Sequence, residues 1–196
     1  MNNRNLLHTV YMLISSPTRA WEEIIVSKRT GAKVLSGFVY PLIGWVGLAV
    51  FIGVVIDHIF SNDFTPNQMF REAIQESCAP FIADFGGFCL SVWLLNKVNT
   101  KLYHHPSSKA CIAALVGYSM VVVFVLQIVT GLFSIFNLLQ CIFQFYIIYI
   151  VWEGIKTMRL AGSKQMMSFT LIASGIILLS VSLIYHLYKW LIVILN

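Results

Sequence analysis

The folds open to this chain are limited most by one apolar stretch, residues 73–98, which reads AIQESCAPFIADFGGFCLSVWLLNKV. A helix of about 20 residues, rising ~1.5 Å per residue, crosses the ~30 Å hydrocarbon layer of a bilayer, so the stretch predicts a membrane-spanning helix. Asp84 lies near its midpoint, where a charged side chain costs about 2.5 kcal/mol or more. We therefore expect neighbouring helices to enclose Asp84 and to hydrogen-bond to it.

Two periodic patterns accompany Asp84 in this stretch. Small residues recur every four positions, which lets another helix approach closely. They are Ala79, Ala83, Gly87 and Ser91. Ser77, Asp84 and Ser91 are spaced by seven and share one helix face, and Pro80 predicts a kink. The stretch is predicted to be an inner helix, with Asp84 either a buried packing residue or a contact for an ion, proton or substrate.

The composition indicates an integral membrane protein. Hydrophobic residues make up 58% of the 196 residues and charged residues 11%, whereas soluble domains are about 25% charged. The four cysteines include no closely spaced pair, so we expect buried free thiols and no disulfide or metal framework. His104 and His105 have no further ligand close by in sequence, so no metal site is expected there. The net charge of +5 bears on orientation in the membrane, and no nucleic-acid partner is expected.

Hydropathy divides the chain into an N-terminal arm, residues 1–33, and an all-α transmembrane domain, residues 34–196. The domain is predicted to be a bundle of five helices at about 34–60, 73–98, 110–130, 132–152 and 168–195. The first apolar run of the arm lacks a small-x-small cleavage site and is not expected to be a cleaved signal. Ser16 and Pro17 predict the start of an amphipathic helix. This helix either lies at the headgroup level with Trp21 as its anchor or packs on the cytoplasmic ends of the bundle.

The distribution of Lys and Arg predicts the orientation. Of 13 such residues, five lie in the arm, three between spans two and three, and three between spans four and five. Only Arg71 and Lys189 lie on the other side, which also gathers acidic residues: Asp57, Asp63, Glu72 and Glu76. Since positive charge is retained in the cytoplasm, we expect the N-terminus inside and the C-terminus outside.

A polar stripe marks the predicted fourth span, where Asn137, Gln140 and Gln144 are spaced at i, i+3 and i+7. Such a stripe is costly against lipid, so it is predicted to face the bundle, with Asp84 and Tyr118 as partners. It either binds the helices together or lines a pathway.

No catalytic arrangement is evident in the sequence. The patterns HExxH, GxSxG, GxxxxGK[ST] and GxGxxG are absent. An intramembrane aspartyl protease needs two aspartates within its spans, and Asp84 is the only one that lies deep in a predicted span. We expect no enzymatic activity and no cofactor.

Three features of the sequence occur together: SSPTRAWEEI at residues 15–24, the five predicted spans, and Gly117, Tyr118 and Ser119 in the third span. With these features the chain resembles the Yip/YIPF family of five-span membrane proteins. Members of the bacterial branch commonly begin with a Pro, Trp and Ile pattern, which Pro17, Trp21 and Ile24 match here. Eukaryotic members act in vesicle trafficking and bind small GTPases, but their DLYGP motif is absent and no proline follows Ser119. The resemblance implies the fold, the topology and a non-enzymatic role in or on a membrane. We expect this membrane to be the inner membrane of a bacterium.

Two classes of function follow from these patterns. The first is a membrane-organising scaffold that contacts a second copy or another membrane protein through its helices. The alternative is a small transporter or channel that uses Asp84 and the polar stripe, or a lipid-binding protein. In every case the lipid bilayer is the surrounding partner.

Overall fold

The computed structural model describes residues 3–27, 32–60, 66–102 and 108–195. These residues form helices and no strand, which confirms the all-α class. The helices are α1 (Asn3–Ser15), α2 (Pro17–Val26), α3 (Ala32–Val34), α4 (Tyr40–Phe60), α5 (Pro66–Leu102), α6 (Lys109–Ser119), α7 (Val121–Leu132), α8 (Asn137–Phe143), α9 (Ile147–Met158) and α10 (Met166–Leu195). A π-helical turn, Leu35–Val39, leads into α4, and 3₁₀ turns at Ser134–Phe136 and Gln144–Tyr146 flank α8. His104 and His105, for which no metal site was expected, lie outside the described residues.

Among the described residues, four helical stretches are long and apolar enough to cross a membrane: Leu35–Phe60, Pro66–Lys101, Lys109–Leu132 and Met166–Ile194. Their outward faces carry large apolar side chains that no other part of the structure covers, including Trp45, Phe81 and Leu179. Extended apolar surface of this kind marks a membrane-facing exterior. The chain is a multi-pass membrane protein.

The predicted span 132–152 is not one continuous helix. Phe133 adopts an extended conformation (φ −139°, ψ 96°), and the residues after it form α8 and α9 with a 3₁₀ turn between them. The prediction of a single helix was wrong because hydropathy reports composition and not hydrogen-bond geometry. No glycine or proline between residues 134 and 152 marks these breaks.

The helices run between two ends of the bundle. At one end, called here the α4–α5 end, α4 finishes and α5 begins. There Nε2 of His58 on α4 lies 3.1 Å from Oε2 of Glu72 on α5. The C-terminal part of α10 reaches the same end, since Lys189 pairs with Glu76 of α5. At the opposite end α2 packs on α9. Helix α5 therefore runs antiparallel to α4 and α10, its two main packing partners.

Helix α5 is the central helix of the bundle. Its small residues Ala79, Ala83, Gly87 and Ser91 are all buried. A Cβ atom on Gly87 would lie 2.9 Å from the Cα of Val181 on α10, so the two backbones approach closely at this point. The small residues of α5 are therefore covered by other helices of the same chain.

Helix α2 packs into the bundle and does not lie free at the headgroup level. Trp21 is completely buried, and its Nε1–H donates to the carbonyl of Ile150 at 3.0 Å. Pro17 and Ile24 are buried as well. The interpretation of Trp21 as a headgroup anchor is wrong, because a fully enclosed ring has no surface left for lipid. The alternative, a helix packed on the end of the bundle, describes the structure.

The prediction that the cysteines are buried is also wrong for three of them. Cys78, Cys89 and Cys141 are exposed on the outside of the helices, and Cys111 is half-buried. All four are free thiols. An apolar sequence context does not distinguish the protein interior from a lipid-facing surface, which is equally apolar.

Helices α4 and α7 meet at two glycines, and this contact yields a stability prediction. A Cβ atom on Gly53 would overlap the carbonyl oxygen of Gly131, so Gly53→Ala must push the backbones apart. We expect it to lower the free energy of unfolding by about 1–3 kcal/mol, measured by SDS-induced unfolding in mixed micelles. Gly44→Ala on the same helix is the matched control, since nothing lies within 4 Å of its Cβ position. Equal stability of the two variants would contradict this packing.

Candidate functional site

Asp84 lies on the inner face of α5 and is completely buried. Its Oδ1 accepts a hydrogen bond from Nε2 of Gln127 on α7 at 3.1 Å. The structure thus encloses Asp84 in the bundle and provides a partner that the sequence analysis did not identify. A signal for this partner was present, because Gln127 is a lone amide in the otherwise apolar run VVVFVLQIV.

Two oxygen atoms of this pair have no hydrogen-bond partner among the described residues: Oδ2 of Asp84 and Oε1 of Gln127. A carboxylate oxygen and an amide oxygen can only accept hydrogen bonds. Leaving a buried acceptor without a donor costs about 1–3 kcal/mol. With Asp84 ionised the pair is therefore short of donors, whereas a protonated Asp84 would itself supply one.

A cavity of about 400 Å³ lies beside the pair, within the ~300–1,000 Å³ typical of small-molecule sites. Gln127 lines it from α7, and Pro80 and Glu76 line it from α5. Pro80 and Glu76 precede Asp84 by four and eight positions on α5, so they share its helix face. Further walls come from α4, α8 and α10.

The polar stripe of the predicted fourth span faces this cavity. Asn137, Gln140 and Gln144 all line it. Gln140 accepts a hydrogen bond from the hydroxyl of Thr130 on α7 at 3.1 Å. The described partner of Gln140 is thus Thr130, whereas Asp84 and Tyr118, the partners predicted for the stripe, are not among the residues that line the cavity. Periodicity showed which residues share a face but not how that face is rotated against α7.

An ion pair lies at the part of the cavity that is nearest the α4–α5 end. Lys189 Nζ lies 2.5 Å and 2.7 Å from the two carboxylate oxygens of Glu76, which lines the cavity. Tyr185 and Ser182 of α10 line the same region. The cavity therefore extends from this ion pair toward the Asp84–Gln127 pair at the middle of α5. Both charges were predicted to lie on one side of the membrane, but their pairing was not predicted.

The two serines that share the Asp84 face of α5, Ser77 and Ser91, do not line the cavity. Ser77 is half-buried and donates to the carbonyl of Ala73 on its own helix at 2.5 Å. Ser91 is buried, and its hydroxyl has no hydrogen-bond partner among the described residues. Neither serine lines the cavity.

Most of the residues that carried the family resemblance lie together in a second cluster, called here the aromatic cluster. It lies toward the end of the bundle where α2 packs on α9, called here the α2–α9 end. The ring of Tyr118 is 5.9 Å from that of Trp21 and 4.7 Å from that of Phe38. A Cβ atom on Gly117 would lie 2.7 Å from a methyl group of Val34. Ser119 is buried at the end of α6. These residues build a close-packed core and line no part of the polar cavity.

Sequence reasoning missed two further residues of this cluster. Gly154 on α9 leaves room for the Trp21 ring, since a Cβ atom there would lie 2.7 Å from Trp21 Cζ2. Glu153 is buried beside it and accepts a hydrogen bond from Thr18 on α2 at 3.1 Å. Together with the Trp21–Ile150 bond, this contact attaches α2 to α9.

The Asp84–Gln127 contact can be tested by a double-mutant cycle. We expect Gln127→Leu to lower the free energy of unfolding by about 1–3 kcal/mol, because it leaves the buried carboxyl without its donor. Replacing both residues by leucine removes the polar groups together and should recover most of that loss. Unfolding in mixed micelles provides the measurement. A Gln127→Leu variant as stable as the unsubstituted protein would contradict the contact.

Comparison with known families agrees with the sequence motifs. The family model described as the Yip1 domain matches residues 10–186, which is most of the chain. Comparisons with curated proteins and with solved structures give no match. The match includes α2, the aromatic cluster and the polar cavity. The chain belongs to the Yip1 domain family.

Proposed function

We propose that this protein is a non-enzymatic, five-span membrane protein that binds a small polar ligand inside the bilayer, as a small transporter or a lipid-binding protein does. The polar cavity is the observation that carries the proposal. Its walls bring together Glu76, Gln127, Thr130, Asn137, Gln140 and Gln144. Amide, hydroxyl and carboxyl groups that converge at membrane depth are costly unless they serve binding or packing. Close packing would leave no cavity.

The path of the chain through α8 and α9 supports a fifth crossing. Gln140 on α8 bonds to Thr130 near the α4–α5 end, and Ile150 on α9 bonds to Trp21 at the opposite end. The two contacts lie toward opposite ends of the bundle, which supports a fifth crossing by this segment although a 3₁₀ turn divides it. We place the N-terminus in the cytoplasm from the distribution of positive charge. The resemblance of the N-terminal arm to bacterial members supports a bacterial inner membrane.

This orientation makes a labelling prediction. In a cysteine-free background, Asn67→Cys at the start of α5 should react with a membrane-impermeant maleimide on intact cells. Ser163→Cys, between α9 and α10, should react only after lysis. Both positions are exposed, so access to the reagent is set by the side of the membrane. The reverse pattern, or labelling of both from one side, would contradict the proposed topology.

The ligand-binding role is tested by filling the cavity. Ser182 lines it from α10, so Ser182→Trp should displace the ligand and reduce its occupancy by roughly an order of magnitude or more. Leu179→Trp is the matched control on α10, since Leu179 is 70% exposed on the outer surface. Native mass spectrometry of protein released from nanodiscs measures the bound ligand. A ligand retained equally by both variants, or no bound ligand on the unsubstituted protein, would refute the role.

A scaffold role is the second candidate. Gly44 and Gly175 have nothing within 4 Å of their Cβ positions, and small residues on an outer helix surface allow a partner helix to approach closely. A second copy of the chain or another membrane protein would pack there. The ladder on α5 supports no such contact, because it is buried within the chain. Native mass spectra that contain only monomer, without a protein partner, would remove this candidate.

A further inference from the structure

We propose that the polar cavity recognises an uncharged group rich in hydroxyls, as a sugar or a glycerol moiety is, through amide side chains of α8 and the 3₁₀ turn that follows it. This inference rests on the proposed ligand-binding role and names the chemical class of the ligand. It starts from Asn137 and Gln144, which line the cavity and whose side chains have no hydrogen-bond partner among the described residues. Each amide offers donors and an acceptor, and a hydroxyl group also donates and accepts, so the two groups match.

The amide groups of the polar stripe are accessible from the cavity. Asn137 is exposed, and Gln140 and Gln144 are half-buried. Oε1 of Gln140 accepts a hydrogen bond from α7, which leaves its NH₂ group free to donate to a ligand. The free groups of Gln140 and Gln144 keep accessible surface, whereas the unpaired oxygen atoms of the Asp84–Gln127 pair are fully enclosed. A ligand in the cavity therefore meets the amides of the stripe and not Asp84.

The charges around the cavity favour an uncharged ligand. Among the described residues that line it, Glu76 is the one with a formal charge. Lys189 already contacts both carboxylate oxygens of Glu76, so this charge is neutralised within the protein. An ionic group inside the bilayer needs an opposite charge as its partner. The described lining residues provide none that is unpaired, whereas they provide several neutral hydrogen-bonding groups.

The other walls of the cavity are largely apolar and suit the carbon framework of such a group. They come from α4, α7 and α10 and include Val50, Val123, Leu126, Leu178 and Val181. A sugar ring carries C–H groups on its faces and hydroxyls around its edge. One ligand of this kind can pack against the apolar walls and bond to the amides at the same time. The volume of about 400 Å³ has room for a group of the size of a monosaccharide.

The hydroxyl-rich group can come from two sources with the same chemistry: a lipid headgroup and a free polyol. Asn137 on α8 and Ser182 on α10 line the cavity and are both exposed. Their neighbours Leu138 and Leu183 are exposed apolar side chains, so this opening lies on the lipid-facing surface and admits a headgroup from the bilayer. The cavity also extends to the ion pair near the α4–α5 end, from which a free polyol can enter. The test therefore includes both soluble and lipid probes.

The soluble arm compares glucose with two charged analogues on the full-length protein in nanodiscs, by saturation-transfer NMR. Glucuronate carries a carboxylate in place of the hydroxymethyl group. Glucosamine, in mildly acidic buffer where its amine is protonated, carries an ammonium group in place of one hydroxyl. We expect glucose to bind at least roughly tenfold more tightly than either analogue, because neither charge meets an unpaired opposite charge. Equal or tighter binding of a charged analogue would overturn the proposal without any substitution.

Two variants locate the binding. Gln144→Leu keeps the approximate size of the side chain but removes its amide group, and we expect it to weaken binding by roughly fivefold or more. Gln165→Leu makes the same chemical change at an exposed position between α9 and α10, outside the cavity, and should leave binding unchanged. Binding at full strength in Gln144→Leu would overturn the proposal. If that variant does not fold, Asn137→Leu at the exposed end of the stripe is measured in its place, with the same expectation.

The lipid arm uses phosphatidylcholine nanodiscs that contain equal amounts of monoglucosyl and monoglucuronosyl diacylglycerol with the same acyl chains, followed by native mass spectrometry. Selective retention of the glucosyl lipid identifies a headgroup as the source, and the variants are then compared by lipid retention. Glucose binding without lipid selectivity identifies a free polyol. A protein that binds neither glucose nor the glucosyl lipid would overturn the inference.

These outcomes separate the inference from the proposed function. If a ligand without hydroxyl groups is bound and is lost in Ser182→Trp, the cavity binds ligands but this inference is wrong. If no ligand of any kind is found, the proposed function fails as well.

Discussion

A carboxyl group at the middle of a membrane-spanning helix needs its hydrogen-bond partner inside the protein, and the rest of this fold follows from that requirement. Helix α5 carries Asp84, and α7 supplies Gln127 to meet it. Water is not available in the hydrocarbon region to satisfy such a group. The two helices must therefore hold a fixed rotation relative to each other. The small residues of α5 and the Gly53–Gly131 contact let α10 and α7 pack closely enough to maintain it.

The bundle has two parts with different chemistry. Toward the α2–α9 end, the rings of Trp21, Tyr118 and Phe38 pack against each other and fill the interior. Toward the α4–α5 end, amides and hydroxyls surround a cavity that ends at the Glu76–Lys189 ion pair. The aromatic cluster thus gives rigidity to one part, and the other part contains the cavity to which we assign the proposed ligand-binding role. This division explains why the family motif residues lie away from the polar stripe.

The sequence predicted the helical class, the four long spans and the inward-facing polar stripe, because these depend on composition and periodicity. The pairing of Asp84 with Gln127 could not be predicted, since it depends on how α7 is rotated about its own axis. The 3₁₀ turns beside α8 had no glycine or proline to mark them. Trp21 was misjudged in part because the space that receives its ring is created by Gly154, which lies 133 positions further along the chain.

The central claim is that the Asp84 carboxyl is enclosed in the bundle and bonded to Gln127. Solid-state NMR in lipid bilayers tests it directly, through the dipolar coupling between the ¹³C-labelled carboxyl of Asp84 and the ¹⁵N-labelled side-chain amide of Gln127. We expect a measurable coupling that places the carboxyl carbon and the amide nitrogen within hydrogen-bonding range, as the Nε2–Oδ1 distance of 3.1 Å requires. A coupling too weak for a hydrogen bond, with the Asp84 carboxyl in contact with lipid acyl chains, would contradict it.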